Sequence, residues 1–167
     1  YMELVRDLRA VQPDMHLSTD VIVGFPGETE EDFRMTCELF EEINFDMAFI
    51  FKYSPRSGTP AAELGDDVPK PVKEERNQIL LKMLEKQSLC RNDSLVGTTQ
   101  EILVEGPARK GAGMFMGRTR GFRKVIFPAT ERLVGELVQV DIEESSVTTL
   151  KGRLLLSGVD AGMVGVA

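Results

Sequence analysis

Hydrophobic residues in the first half of the chain follow helical and strand periodicities in turn. A helix is predicted over 1–11 and ends before Pro13, and the run over 17–25 is nearly continuously apolar, as in a strand buried on both faces. A second helix begins after Thr29, which caps it, and a second strand is predicted over 46–52. Strand, helix and strand within about 35 residues predict a βαβ unit with a parallel sheet.

The second half of the chain has a different pattern. A loop rich in proline, glycine and serine over 53–69 leads into a long helix from Pro71 to about Arg91, with Val72, Ile79, Leu80, Met83 and Gln87 on one side. Beyond Thr98, turn signals separate five short apolar runs at 100–105, 114–119, 124–127, 137–143 and 149–156. These runs predict a small β-barrel. We therefore expect an α/β part over 1–70, a connecting helix over 71–93, an all-β part over 94–157 and a flexible tail over 158–167.

The charged residues are unevenly distributed along the chain, and this changes what the net negative charge implies. The net charge of −7 by itself argues against a nucleic-acid partner. Residues 109–124, however, carry six cations and no acid: Arg109, Lys110, Arg118, Arg120, Arg123 and Lys124. This basic stretch predicts an RNA face on which cations hold phosphates and Phe115 or Phe122 stacks on an unpaired base. The alternative is a solvated hairpin, and for the two phenylalanine rings themselves the pattern favours the barrel core.

Two loops follow the two predicted strands, at the strand ends where α/β folds place their ligands. The first, Gly24–Glu28, offers glycines that let a ligand approach the backbone, and the N–H groups of the next helix. The second, Tyr53–Pro60, contains Arg56, which could hold a carboxylate or a phosphate. Spacing alone favours ordinary turns at both places.

Cysteine and histidine usage points away from a zinc site or a disulfide framework. Cys37 and Cys90 fall at apolar positions of predicted helices, which favours two buried, reduced thiols in a cytosolic protein, and His16 is the one histidine. No apolar run approaches the roughly 20 residues of a membrane span, and the charged segment 1–9 does not resemble a signal peptide. The start at Tyr1 and a sheet of two strands indicate part of a longer protein.

Two stretches in order resemble the methylthiotransferases of the radical-SAM superfamily: TDVIVGFPGET over 19–29 and FKYSPRSGTPAA over 51–62. Three further stretches resemble the TRAM domain of the MiaB branch: GTTQEILVEG over 97–106, GRT over 117–119 and KGR over 151–153. Together the resemblance covers about residues 1–156. It implies an α/β then all-β fold, in which the C-terminal strands and helices of a partial (β/α) barrel precede a five-stranded antiparallel, OB-like TRAM barrel.

The resemblance also implies cofactors. The partial barrel would bind S-adenosylmethionine, with Val23, Gly24 and Phe25 lining the adenine end and with Asp20 and Arg56 as polar contacts near the reaction centre. Asp20 stands where the superfamily's strand motif might have glycine. Two [4Fe–4S] clusters are implied for the full-length enzyme, but the CxxxCxxC motif and three further cysteines are missing here.

Cys37 and Cys90 cannot replace them, because a cluster needs three or four convergent thiolates. We therefore expect the cluster ligands upstream of Tyr1, no metal site and no bound cofactor in this chain, and no activity from this chain alone.

The implied reaction adds a methylthio group to C2 of N6-isopentenyl adenosine next to the anticodon of tRNA. The TRAM half would hold the anticodon stem-loop in the cytoplasm, with neither a membrane nor DNA as partner. Two alternatives stay open. Sister branches modify threonylcarbamoyl adenosine or an aspartate of a ribosomal protein, and a non-enzymatic RNA-binding module would use the βαβ half as a scaffold.

Overall fold

The computed structural model describes residues 1–13 and 15–155. The elements are α1 (Met2–Val11), β1 (Ser18–Val23), α2 (Glu30–Ile43), β2 (Met47–Lys52), α3 (Pro60–Glu63), α4 (Lys70–Asp93), β3 (Thr99–Pro107), β4 (Met114–Thr119), β5 (Lys124–Pro128), a 3-10 turn (Glu131–Leu133), β6 (Leu137–Ser145) and β7 (Leu150–Leu154). The chain divides into two compact units, Tyr1–Gln87 and Ser88–Ala167. The tail predicted over 158–167 lies outside the described residues. Within the described ranges, no helix has the length and apolar character needed to cross a bilayer.

The first unit contains the predicted βαβ arrangement. β1 and β2 pair in parallel, with Ser18 opposite Met47 at the start of the pairing. α2 begins with a capping box, in which the Thr29 hydroxyl accepts the amide of Asp32 at 3.1 Å and the Thr29 amide donates to the Asp32 carboxylate at 2.9 Å. The helix ends at Asn44, whose φ of 54° is left-handed. Short-range capping chemistry therefore sets both ends of the helix that connects the two parallel strands.

One face of this two-stranded sheet is packed and the other is exposed. Val21, Val23, Ala48 and Ile50 pack into a core with Phe33, Phe40, Ile43 and Leu80. The other face carries apolar residues that are 38% to 53% exposed: Ile22, Met47, Phe49 and Phe51. The expectation of a first strand buried on both faces is therefore wrong for the described residues. The run is apolar on both sides, but described residues cover only one of them.

Two elements after β2 differ from the prediction. The loop predicted over 53–69 contains the short helix α3, which has Pro60 in its first turn, where a missing N–H costs nothing. α4 begins one residue before the predicted start at Pro71. Its buried side includes Lys73, Arg76 and Leu80, while Ile79, expected on that side, is 38% exposed. Because the buried face of α4 includes two cations, the positions of its apolar residues alone predicted the wrong face.

The second unit is a closed five-stranded barrel with the strand order β3-β4-β5-β7-β6. β5 and β7 run parallel, with Val125 opposite Leu150, and the other four pairings are antiparallel. The predicted α/β then all-β fold class is confirmed, but the barrel is mixed rather than wholly antiparallel. The reason is geometric. An odd number of strands cannot alternate direction around a closed ring, so at least one neighbouring pair has to be parallel.

The barrel core consists of residues that are 6% exposed or less: Ile102, Val104, Phe115, Val125, Phe127, Val140, Ile142 and Leu150. The core position that the sequence predicted for Phe115 is confirmed. Two glycines let neighbouring strands approach closely. A Cβ atom on Gly117 would overlap the carbonyl oxygen of Leu103, and one on Gly152 would overlap that of Asp141. Both glycines stand in the stretches that resemble TRAM domains, and barrel packing explains them.

We expect Gly117→Ala to lower the free energy of unfolding of the second unit by about 1–3 kcal/mol, the usual cost of overpacking. The added methyl group meets backbone of β3, which cannot rotate away as a side chain can. Urea denaturation followed by far-UV circular dichroism measures the change. Gln139→Ala, at an exposed position of β6, is the control and should shift stability by less than about 0.5 kcal/mol. Equal stability of the two variants would contradict the packing argument.

Candidate functional site

The first candidate site is the pair of loops that follow β1 and β2. The amide of Tyr53 donates to the carbonyl oxygen of Val23 at 2.9 Å, so the two loops leave the sheet side by side. The ring of Phe25 packs edge-on against that of Tyr53, with 5.2 Å between ring centroids. The structure therefore brings the segment 23–25 together with the start of the second loop, as the parallel pairing predicts.

The five predicted cofactor contacts differ in how accessible they are. The side chain of Val23 is fully buried in the core, so only its backbone reaches the loop. Gly24 is buried with a φ of +68°, whereas Phe25 is 40% exposed. Asp20 is exposed on the uncovered sheet face. Arg56 is also exposed, and its carbonyl oxygen accepts the amide of Thr59 within the second loop.

A buried arginine of α4, which the sequence reasoning missed, holds the first loop in place. Arg76 is 4% exposed, and its two terminal nitrogens lie 2.5 Å from Glu28 Oε2 and 2.5 Å from Glu30 Oε1. Glu28 Oε2 also accepts the amide of Gly24 at 2.5 Å. Burial alone would lower the pKa of the Arg76 guanidinium, but its hydrogen bonds to Glu30 and Glu28 outweigh this, and the pKa is raised. Arg76 therefore stays charged and ties the loop to α4.

A buried lysine one turn earlier on α4 contacts both loops. Lys73 forms an ion pair with Asp66, its Nζ donates to the carbonyl oxygen of Tyr53 at 3.4 Å, and Nζ lies 5.1 Å from the centroid of the Tyr53 ring. Its aliphatic stem fills the space that a Cβ atom of Gly24 would need. Glycine at this position is therefore required by Lys73 packing and by the positive φ, without reference to a ligand.

Iron–sulfur ligation does not fit the described side chains. Within residues 1–13 and 15–155, no three His, Cys, Asp or Glu side chains come together to hold a metal ion. Burial first, and then the carboxylates of Glu41, Glu28 and Glu38, raise the pKa of the Cys37 thiol, which disfavours the thiolate that binds iron. Cys90 is exposed, so the expectation that it is buried is wrong. The last turn of α4 instead buries Asn92, which lies on the other side of the helix.

The second candidate site is the basic stretch, which the barrel divides in two. Arg109 and Lys110 lie in the connection before β4, and the other four cations surround its far end. β4 has six residues, so its ends lie about 17 Å apart. We call residues 108–113 the tip surface and residues 118–124 the turn surface. The structure thus does not bring all six predicted RNA-binding cations into one patch.

Acids of β3 accompany two cations of the turn surface. Arg118 Nε lies 2.9 Å from Glu105 Oε1, and Arg120 Nε lies 2.8 Å from Glu101 Oε1. The basic stretch therefore contains no acid in its sequence, but acids of a neighbouring strand lie beside two of its cations. The Arg120 side chain remains 86% exposed, so water screens its ion pair and leaves the guanidinium available to other anions.

Arg123 forms a hydrogen bond within the barrel unit. Its Nη1 donates to Asn92 Oδ1 at 2.7 Å. Asn92 is 3% exposed, and its Nδ2 donates to the carbonyl oxygens of Ser146 at 2.6 Å and Val147 at 3.2 Å. Arg123 thus connects the turn between β4 and β5 to the last turn of α4, where Asn92 in turn holds the segment between β6 and β7. Substituting Arg123 would disturb this network.

Phe122, which the pattern favoured for the core, is 67% exposed, so that expectation is wrong. The inward positions of β5 are taken by Val125 and Phe127, and Phe122 precedes the strand in the turn. Its φ of +61° is left-handed, and the guanidinium carbon of Arg118 lies 5.7 Å from its ring centroid. An exposed aromatic ring therefore lies among the cations of the turn surface.

Comparison with known proteins shows similarity to a domain family and to a set of named enzymes. Residues 93–155 match the TRAM domain. The chain is similar to proteins named tRNA-2-methylthio-N(6)-dimethylallyladenosine synthase. The protein from Opitutus terrae is 60% identical over 159 residues, which cover 95% of this chain and 33% of that protein. Those from Methylacidiphilum infernorum and Bordetella pertussis are 48% and 46% identical, covering 98% and 92% of this chain and 35% and 34% of theirs. The chain spans about a third of the length of the curated relatives it matches.

Proposed function

Because this chain is homologous over nearly all of its length to these methylthiotransferases and contains a TRAM domain, we propose that it is part of an enzyme that adds a methylthio group to C2 of N6-isopentenyl adenosine in tRNA. The observation that carries the proposal is the joint match, which includes both the unit with the two strand-end loops and the TRAM barrel. The full enzyme would act in the cytoplasm, where tRNA is modified.

The uncovered sheet face and the two loops are the proposed S-adenosylmethionine surface. Ile22, Phe49 and Phe51 offer an apolar surface for the adenosine, and the carboxylate of Asp20 lies among them to meet a cationic group. Phe25 and Arg56 stand on the loops at the same end of the strands. In this proposal Val23 and Gly24 contribute backbone. When bound, S-adenosylmethionine supplies the radical chemistry of the family, and the proposed role of this chain is to bind and orient it.

The two [4Fe–4S] clusters of the proposed enzyme are assigned to cysteines outside this sequence, since the described side chains do not fit a cluster. Within the chain, the proposed role of Arg76 and Lys73 is to position the two loops, without direct participation in the reaction. They hold the first loop against α4 through Glu28 and the second through the Tyr53 carbonyl. Their proposed role is to keep the segment 24–28 and the start of the second loop in one arrangement.

The TRAM barrel is proposed to hold the anticodon stem-loop on the turn surface. Lys124 lies opposite Arg118 across the β4–β5 pair, and Arg120 extends from the turn beside them. Three cations at the turn end of the β4–β5 hairpin can meet neighbouring phosphates of one backbone. The tip surface offers two cations and, among the described residues, no aromatic ring.

Charge reversal distinguishes the two surfaces. We expect Arg120→Glu/Lys124→Glu to weaken binding of an anticodon stem-loop RNA more than tenfold at low salt and to flatten the dependence of log Kd on log salt concentration. Arg109→Glu/Lys110→Glu makes the same change in net charge at the tip surface, and it should weaken binding by less than about threefold. Fluorescence anisotropy titrations of the whole chain measure both. Equal losses would show that overall charge, not the turn surface, governs binding.

The proposed reaction is tested in cells. Mass spectrometry of tRNA from a strain lacking the gene should show loss of the methylthio group and accumulation of N6-isopentenyl adenosine. Unchanged methylthio-isopentenyl adenosine would refute the proposed substrate. Loss of the methylthio group from threonylcarbamoyl adenosine instead would assign the protein to a sister branch, and a full gene product without clustered cysteines would leave only an RNA-binding module.

A further inference from the structure

Phe122 differs from the other aromatic residues of the barrel unit. Phe115 and Phe127 are 6% and 0% exposed, and both belong to the barrel core. Phe122 is 67% exposed and contributes nothing to that core. A ring that is 67% exposed adds little burial energy to the fold, so core packing does not account for Phe122.

The backbone at Phe122 makes the residue type still more unusual. Residues 120–122 form a three-residue hairpin loop in which the Phe122 amide donates to the Thr119 carbonyl at 3.0 Å and the Thr119 amide donates to the Arg123 carbonyl at 3.0 Å. The third residue of such a loop is left-handed, as the φ of +61° shows, and glycine or asparagine is the usual occupant. A bulky residue held in this region is strained, which points to a role outside stability.

Contacts around the ring hold it in place without burying it. The Arg118 guanidinium lies over the ring, with its central carbon 5.7 Å from the centroid, and Nη1 of Arg118 donates to the Phe122 carbonyl at 3.2 Å. Arg118 is itself held by Glu105. Ring and guanidinium therefore form an ordered pair, and the exposure of Phe122 leaves ring surface for a further planar group.

We propose that Phe122 is a stacking platform for an unpaired RNA base, with Arg120 and Lys124 holding the phosphates beside it. The proposal rests on the RNA-binding function proposed above and specifies its substrate class. A base inside a duplex is already stacked between its neighbours, whereas a loop nucleotide can turn its face to an aromatic side chain. The turn surface therefore selects single-stranded or loop nucleotides over duplex.

Phe122→Asn tests the platform without endangering the fold. Asparagine adopts the left-handed conformation readily, so the variant should fold at least as well as the parent chain. Its affinity for an RNA hairpin with an unpaired loop should fall about tenfold, the size of one base–aromatic stacking contact. Its affinity for a blunt RNA duplex of the same length should change by less than about twofold. Phe122→Trp keeps an aromatic face and should retain hairpin affinity.

The outcomes separate this inference from the RNA-binding function. Unchanged hairpin affinity in Phe122→Asn, together with a loss in Arg120→Glu/Lys124→Glu, would overturn the platform and leave the RNA face intact. An equal loss for hairpin and duplex would also overturn it, because the ring would then not select unpaired bases. If the parent chain bound neither RNA, the RNA-binding function itself would fail, and the platform with it.

Discussion

Replacing Arg76 by alanine is expected to lower the free energy of unfolding of the first unit by about 3–5 kcal/mol, the cost of removing one partner from a buried ion pair. Glu28 is 12% exposed in its side chain and would lose its buried cationic partner. Its remaining contact, the Gly24 amide, is neutral and cannot replace the guanidinium. Both tyrosines, Tyr1 and Tyr53, lie in the first unit and the chain has no tryptophan, so tyrosine fluorescence during urea denaturation follows this unit alone.

Arg34 provides the matched control for Arg76. It also pairs with two carboxylates, Glu31 and Glu38, but all three side chains are more than half exposed. Arg34→Ala should therefore change stability little, because water replaces the lost partner. If Arg76→Ala were as mild as Arg34→Ala, the network would not hold the loop. Adding Glu28→Gln to Arg76→Ala should restore part of the loss, because it removes the unpaired charge.

The sequence predicted most of the fold because local signals specify it. The capping residue Thr29 and the apolar stripe after it place α2, and two short apolar runs within one βαβ length imply parallel pairing. The five strands of the barrel follow from alternation between turn signals. The mixed direction of the barrel follows from its closure and strand number, which no single segment of sequence reveals.

The candidate sites were harder to predict, since they depend on contacts between distant segments. Lys73 and Arg76 look like solvent-exposed cations of a helix, and only the loops that pack on them make them buried. The basic stretch is continuous in sequence, but β4 carries its two ends apart. Phe122 lies in the turn before β5 and not at an inward strand position, and side-chain type gives no indication of a left-handed turn at phenylalanine.

Phe127→Ala is expected to lower the free energy of unfolding of the second unit by about 3–5 kcal/mol, because the ring is fully buried and its removal leaves a cavity in the barrel core. Far-UV circular dichroism during urea denaturation measures the loss, since the described part of this unit contains no tyrosine or tryptophan. Under conditions in which the variant stays folded, its hairpin affinity should equal that of the parent chain.

Phe122→Asn should behave in the opposite way, keeping stability and losing affinity, although the two phenylalanines are only five positions apart. This opposition tests the assignment of one ring to the core and the other to RNA. A destabilised Phe122→Asn barrel would show that the exposed ring contributes to folding. A stable Phe127→Ala barrel with reduced RNA affinity would contradict the assignment of Phe127 to the core and of RNA binding to the exposed turn surface.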